Sequence, residues 1–366
     1  MARNTIRSSN AVVATTDSSN AWSTANQSLL LHRLTQNVSY SIQMPRSNMK
    51  QVGSQEFAFR NSFSQPDVQL EISYIPEPSF SNEVAGRFVG TSNNWLSFKN
   101  MFDEAEESSE DTNFYVFLVD NEDEDFLKEI EFYSTLNFDG YDAISFGNCF
   151  PNSYNLRYGV GELPIVSTSY ICSNSVFNNL TGTSEVSPAI NLTGGNNDGV
   201  GRTEFLFAVR GTAEYEKNPP IVNPVNTGSN ITLQNLQVGG QALSGLHYVQ
   251  TVDMNVNLER TSNYGLGSDF AYGRKPQFPA QGSFAVTSEV SGLAAGQLTG
   301  VLDNDRNYDF QLVLEASGKK MIYQIEDAKL DTYSYQMNVN ETMSFDASFS
   351  FEVTQTKGLK ISGTIY

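Results

Sequence analysis

Apolar and polar positions alternate along this chain with a period of two. Phe345, Ala347, Phe349, Phe351 and Val353 alternate with Asp346, Ser348, Ser350 and Glu352, the pattern of a strand with one buried and one wet face. Just upstream, Tyr333, Tyr335, Met337 and Val339 alternate with Ser334, Gln336 and Asn338. Asn340-Glu341-Thr342 between the two runs reads as a hairpin connection. Met254, Val256 and Leu258 against Asn255, Asn257 and Glu259 give another strand, as do Val68, Leu70 and Ile72 against Gln69, Glu71 and Ser73. Helical spacing is rare. Glu122–Phe132 and Ser288–Leu298 each offer about three turns, the second weakened by Gly292 and Gly296. The pattern predicts a mainly β, antiparallel chain with one or two short helices in each domain.

The strands also repeat. Val38–Met44 aligns with Val252–Leu258 at a shift of 214 residues. Without a gap, Arg46 then meets Arg260, Gly53-Ser54 meets Gly267-Ser268, and Val68/Leu70/Ile72 meets Gly282/Phe284/Val286. A proline precedes that second strand in each copy, Pro66 and Pro279, one register apart. A second block matches at a shift of 179: Ser153-Tyr154 lies over Thr332-Tyr333. Val160, Glu162, Val166, Tyr170 and Cys172 then meet Val339, Glu341, Phe345, Phe349 and Phe351. The first copy thus carries 35 extra residues between its blocks. These matches predict two tandem copies of one antiparallel β-sandwich or barrel domain. The organisation they imply is an N-terminal arm (1–33), a first domain (34–178) with an acidic insertion at about 80–143, an excursion (179–235) and a second domain (236–366). The excursion holds many turn formers, including Gly194-Gly195-Asn196-Asn197 and Asn218-Pro219-Pro220, around one clear strand, Glu204–Val209.

Composition narrows the function. The chain has 22 Lys and Arg against 41 Asp and Glu, a net charge of −19, which opposes any grip on nucleic acid phosphates. Charged residues are 17 % and hydrophobic residues 39 %, a folded rather than a disordered composition. The charge is uneven: between Asp103 and Glu131 stand 13 acidic residues and one base, Lys128, so −12 of the −19 lies there. Asp120 to Glu124 with Glu131 places acids at positions 1, 3, 5 and 12 of a calcium loop. Asp125 occupies position 6, where the EF-hand needs glycine, so a solvated acidic excursion fits better.

Candidate chemistry is sparse. With two histidines and two cysteines, and no CxxC or HxxxH spacing, there is no start of a zinc site. Cys149 and Cys172 could form one disulfide, but two buried free thiols suit a cytosolic product better. No GxSxG elbow, P-loop or HExxH is present, and no carboxylate pair is singled out for glycoside hydrolysis. His32, in the arm, and His247, in a strand, read as structural residues rather than bases. Lys50, Arg60, Arg274 and Lys275 are scattered bases, not a patch. Sequons at Asn26, Asn37, Asn179, Asn191, Asn230 and Asn340 are expected by chance in a chain rich in Asn and Thr. MARNTIRSSNAVV lacks the apolar core of a signal peptide, and no long apolar run follows. The expectation is a soluble protein with no enzymatic activity, and with no catalytic, cofactor-binding or metal-ligating residues.

Val249–Thr251 through Leu258-Glu259-Arg260 resembles the first long strand of the tail tube proteins of long-tailed bacteriophages, which ends in an arginine. Leu266-Gly267-Ser268-Asp269, Tyr272-Gly273-Arg274-Lys275 and Phe278-Pro279 resemble the loop and second strand start of that family. Tyr308-Asp309-Phe310 through Leu314, Ile325–Leu330 and Tyr333-Ser334-Tyr335 resemble its closing strands. Phe146–Phe150, Ser153-Tyr154, Val160-Gly161 and Pro164 resemble the same closing module in the first copy. The resemblance implies a virion structural protein whose strands join a barrel around a lumen, in hexameric rings that stack into a tail tube. A two-domain chain would fill such a ring with three copies, a pseudo-hexamer. Implied partners are further copies of itself, a tape measure and other tail proteins, a sheath if the tail is contractile, and genomic DNA that passes without specific binding. No membrane is involved, and the place is the virion after synthesis in the host cytoplasm. Acidic lumen residues would repel passing phosphates, and the acidic insertion would project outward or sit between rings. Two alternatives stand beside this reading: a tube-like hub or distal tail component that terminates the tube, and a secreted carbohydrate-active β-sandwich protein.

Overall fold

A computed structural model describes residues 11–16, 29–43, 47–50, 52–53, 55, 57–61, 67–77, 80–92, 95–97, 112–118, 141–160, 162–180, 232–234, 237–238, 241–242, 247–264, 271–290, 307–316, 319–336, 343–354 and 358–363. Within them the chain is almost all antiparallel β-sheet, with one short helix. It opens with β1 (Ala11–Thr16), β2 (Leu29–Leu31), β3 (Thr35–Gln43), a hairpin of β4 (Ser47–Lys50) and β5 (Phe57–Asn61), and β6 (Asp67–Tyr74). Helix α1 (Ser81–Ala85), β7 (Gly90–Ser92), β8 (Trp95–Ser97) and β9 (Thr112–Leu118) follow. Next come β10 (Tyr141–Gly159), β11 (Ile165–Cys172) and β12 (Asn174–Leu180). The second half begins with β13 (Thr232–Gln234), β14 (Gln237–Val238), β15 (Gln241–Ala242) and β16 (His247–Asn257). A hairpin of β17 (Arg260–Tyr264) and β18 (Ala271–Pro276) leads to β19 (Ala280–Val290). The chain continues through β20 (Tyr308–Ala316), β21 (Lys319–Gln336), β22 (Ser344–Val353) and β23 (Leu359–Gly363).

All strands except three two-stranded ribbons belong to one hydrogen-bonded network. Its spine is an eight-stranded antiparallel sheet in the order β3-β6-β11-β10-β16-β19-β22-β21. Traced ladder by ladder, the spine does not return on itself: among the described residues, β3 and residues 329–336 of β21 are its two ends. The long strands β10 and β21 each leave the spine. Residues 141–147 of β10 pair with β9 and β12, and β1 lies beyond β9. Residues 319–328 of β21 pair with β20 and β23, and β13 lies beyond β20. Each strand turns between its two sheets through one left-handed residue, Asn148 (φ 49°) and Asp327 (φ 58°), side chains that tolerate this region.

The two halves keep the same register strand by strand. Val38↔Ile72, Tyr40↔Leu70 and Ile42↔Val68 become Val252↔Val286, Met254↔Phe284 and Val256↔Gly282 at the shift of 214. The hairpins agree too: Asn48↔Arg60 becomes Ser262↔Arg274, with a bulge at the same place. At the shift of 179, Tyr154↔Thr168 and Leu156↔Val166 become Tyr333↔Ala347 and Tyr335↔Phe345, and the bulge at Pro151/Ser153 becomes Leu330/Thr332. Strand β9 matches β20 at a shift of 196, again with a bulge in the same place. The 35 extra residues of the first half therefore divide on either side of β9. Both β9 and α1 lie within the segment read as the acidic insertion, and β1 lies within the segment read as an arm.

The alternation sets the core. Leu70, Ile72, Tyr154, Leu156, Met254, Val256 and Phe284 lie on the shared inner face of the spine and are fully buried. Helix α1 brings Glu83 into this interior, where the Tyr154 hydroxyl donates to its Oε1 at 3.2 Å and stands 3.1 Å from the Tyr323 hydroxyl. Burial raises the Glu83 carboxyl from 4.5 to about 7.

One helix expectation is corrected. Ser288–Val290 continues β19, because Ser288 and Glu289 pair with Val249 and Tyr248 on one side and Phe345 and Ser344 on the other. Two ladders outweigh the local helical spacing. Residues 291–298, Glu122–Phe132, the strand Glu204–Val209, the hairpin Asn340–Thr342, and residues 103–111 and 119–131 of the acidic cluster lie outside the described residues.

Candidate functional site

The two sheet ends and the internal junction are made of matching parts. Inside the chain, β10 of the first half pairs with β16 of the second, with Tyr154↔Val256, Leu156↔Met254 and Tyr158↔Val252 in register. These six side chains are buried. At the outer ends stand their counterparts, with the same apolar alternation but open to solvent. Tyr40 and Ile42 on β3 are 42 % and 36 % exposed, whereas Met254 and Val256 are 0 %. Tyr333 on β21 is 48 % exposed, whereas Tyr154 is 0 %. The sequence correctly reads a strand at Tyr333 and Tyr335, but not its position at an edge. Tyr40 leans on Phe146 and Phe177, with ring centroids at 5.4 and 6.2 Å, and Tyr335 packs on Phe345 at 5.0 Å. An edge with open backbone groups and apolar side chains invites another strand.

The opposite face of the spine is wet. It carries hydroxyl and amide side chains that bond across the ladders, such as Ser73 with Ser167 (2.9 Å), Thr332 with Ser348 (2.7 Å) and Thr287 to Asp346 Oδ1 (2.7 Å). Its charges among the described residues are Asp67, Glu71, Asp253, Glu289, Asp331, Asp346 and Glu352 against Arg157 and Lys329, so the face is acidic.

One of the bases read as scattered, Arg274, has structural work, together with Arg260 of the repeat. Arg274 on β18 is only 4 % exposed. It donates from Nη1 to the Ile171 carbonyl (2.8 Å) and from Nη2 to the Cys172 carbonyl (3.3 Å). Arg260 donates from Nε to the Pro151 carbonyl (2.7 Å) and from Nη1 to the Arg274 carbonyl (3.0 Å). Both guanidinium groups stand over the Phe150 ring at 5.5 to 5.7 Å. The hairpin β17–β18 of the second half is thereby clamped onto the first half. The match of Arg46 to Arg260 in the sequence pointed at this clamp, and nothing in the composition did.

His32 is buried against Tyr74 and Phe114, and burial lowers its imidazole from 6.5 to about 3, so it is neutral at physiological pH. His247 begins β16. Cys149 and Cys172 are buried thiols that form no disulfide. Among the described residues no three His, Cys, Asp or Glu side chains could together hold a metal ion, and no helix is long and apolar enough to cross a membrane.

No protein-family model matches the chain, and no curated protein matches it. Among solved structures, it is similar to a chain from the tail of an empty GTA particle, refined with C6 helical symmetry, at 14 % identity and a TM-score of 0.25 over 32 % of this chain and 88 % of the other. It is also similar to a chain from the virion of a native gene transfer agent (GTA) particle, at 13 % identity and a TM-score of 0.24 over 36 % of this chain and 94 % of the other.

Proposed function

We propose that this protein is a structural subunit of a phage-type tail: a duplicated tail tube protein that acts by self-assembly and carries no catalysis. In this reading β21 of one copy pairs with β3 of the next, as β10 pairs with β16 inside the chain. Three copies close a pseudo-hexameric ring, and rings stack into a conduit for the genome. The observation that carries it is the match between the buried internal junction and the two solvent-exposed edges. The side chains that fill the core at Met254, Val256 and Tyr154 have counterparts at Tyr40, Ile42 and Tyr333 waiting for an equivalent cover. Closing the ring removes both edges at once.

The wet face suits a lumen. Neutral hydroxyls and amides with an acidic excess repel phosphates and release no counterions, so DNA slides without sticking. In that setting the remaining partners are a tape measure, other tail proteins and, in a contractile tail, a sheath. Electron microscopy of the purified protein tests the reading. Three-subunit rings and hollow tubes are expected. A monomer that stays monodisperse at high concentration overturns it, and discrete rings that never stack assign the chain to a hub instead.

A further inference from the structure

The internal clamp has a counterpart that is empty within one chain. At the shift of 179 the acceptors Pro151, Ile171 and Cys172 correspond to Leu330, Ser350 and Phe351. There the surface opens into a cavity of about 420 Å³, lined in part by Glu326, Asp327, Lys329, Ser350, Phe351 and Glu352. In the filled site the same places hold Gly147, Asn148, Phe150, Ile171, Cys172 and Ser173. Three carboxylates therefore stand around the open cavity where the filled site has none, Glu326 already paired with Lys360 at 2.6 Å and Lys329 beside them, so the site keeps a net negative charge. At the shift of 214, the counterpart of Arg274 is Arg60 in β5, and the counterpart of Arg260 is Arg46.

We propose that this cavity is the socket for the β4–β5 hairpin of a second copy of the chain, with Arg60 of β5 at the register position that Arg274 holds in the filled site. The inference rests on the ring reading, because that hairpin joins β3 to β6 and β3 is the edge that meets β21 of the neighbour. Three features argue for this occupant. The equivalent hairpin of the second half, β17–β18, in the same register, already fills the equivalent site inside the chain. The socket is continuous with the edge of the spine, since Lys329 and Ser350 are paired residues of β21 and β22. Its net charge is opposite to that of Arg60. Backbone carbonyls supply the bonds in the filled site, so replacing Ile171 and Cys172 by Ser350 and Phe351 leaves the acceptors in place. The added carboxylates strengthen the hold on a guanidinium, as charged partners do.

The test is cross-linking in mixtures. Arg60→Cys and Ser350→Cys are made as separate full-length proteins, mixed under assembly conditions and treated with a short bis-maleimide linker. The buried native thiols make the parent protein a silent control. A covalent dimer that forms only in the mixture is the expected result. Arg60→Ala is measured beside it. It is expected to leave the melting of the unassembled subunit unchanged while raising the concentration needed for assembly about tenfold or more, as loss of charged hydrogen bonds at each interface implies. If the parent assembles but the mixture gives no dimer and Arg60→Ala assembles as the parent does, the socket is overturned and the ring reading survives. If the parent never assembles, the ring reading itself fails.

Discussion

Glu83→Gln isolates the energetic consequence of a carboxyl carried into the core by α1. Glu83 is fully buried, and burial raises its carboxyl from 4.5 to about 7 in the folded chain. Between those values the folded protein holds a proton that the unfolded chain has already released, so stability falls as pH rises through the window. Below 4.5 both states are protonated and the penalty is absent. Above about 7 both are ionised and the penalty is complete, about 3 kcal/mol for this gap. Glutamine has nearly the same shape, keeps an acceptor for the Tyr154 hydroxyl and cannot ionise. The variant is therefore expected to gain up to about 3 kcal/mol at pH 8 and to match the parent within about 1 kcal/mol at pH 4. Urea unfolding of the dilute, unassembled protein at several pH values, followed by fluorescence, measures the difference. His32 titrates in both proteins, so the difference reports Glu83. An equal effect at pH 4 and pH 8, or a loss at pH 8, would refute the reasoning.

Three further expectations follow from the geometry. His32, lowered from 6.5 to about 3, contributes stability that is present above pH 6.5 and lost as pH falls towards 3, so His32→Phe should flatten the decline in melting temperature between pH 6.5 and 4. Gly282→Ala would drive a Cβ into the Phe351 ring, and overpacking of this kind costs about 1–3 kcal/mol, read as a lower urea midpoint. Carrying the β10–β16 register to the proposed ring interface would align Tyr335 of one copy with Tyr40 of the next. Tyr335→Cys and Tyr40→Cys, mixed as single variants and oxidised after assembly, should form an intermolecular disulfide, while Tyr335→Cys with Tyr→Cys at position 74 should not.

Much of the fold was legible because alternating strands advertise themselves. Val68, Leu70 and Ile72, or Met254, Val256 and Leu258, have one buried face whatever surrounds them, and the constant shift between halves survives as constant register. Position in the sheet was not legible. Tyr40 and Met254 belong to the same pattern, and only the tertiary arrangement places one at an edge and the other at a junction. Short strands such as β13, with three residues, are too brief to show a period, which is why the second half reaches further upstream than its pattern suggested. Glu83 is one acid among 41, and its burial depends on a five-residue helix inserted into the first half. Arg274 illustrates the middle case. Its neighbour Arg260 was visible in the repeat, but a buried Arg274 bonded to two carbonyls requires the far strand ends to be brought beside it.

The β10–β16 ladder also bears on the timing of assembly. Two halves on one chain meet at an effective concentration of about the millimolar range, set by the connecting segment rather than by how much protein the cell has made. Half of the junctions in a three-copy ring would then form at any abundance. The other half would wait until subunits accumulate, giving a threshold below which the protein persists as a soluble unit. In the proposed ring, joining the two halves in one chain would separate folding from polymerisation, although both would use one and the same strand pairing.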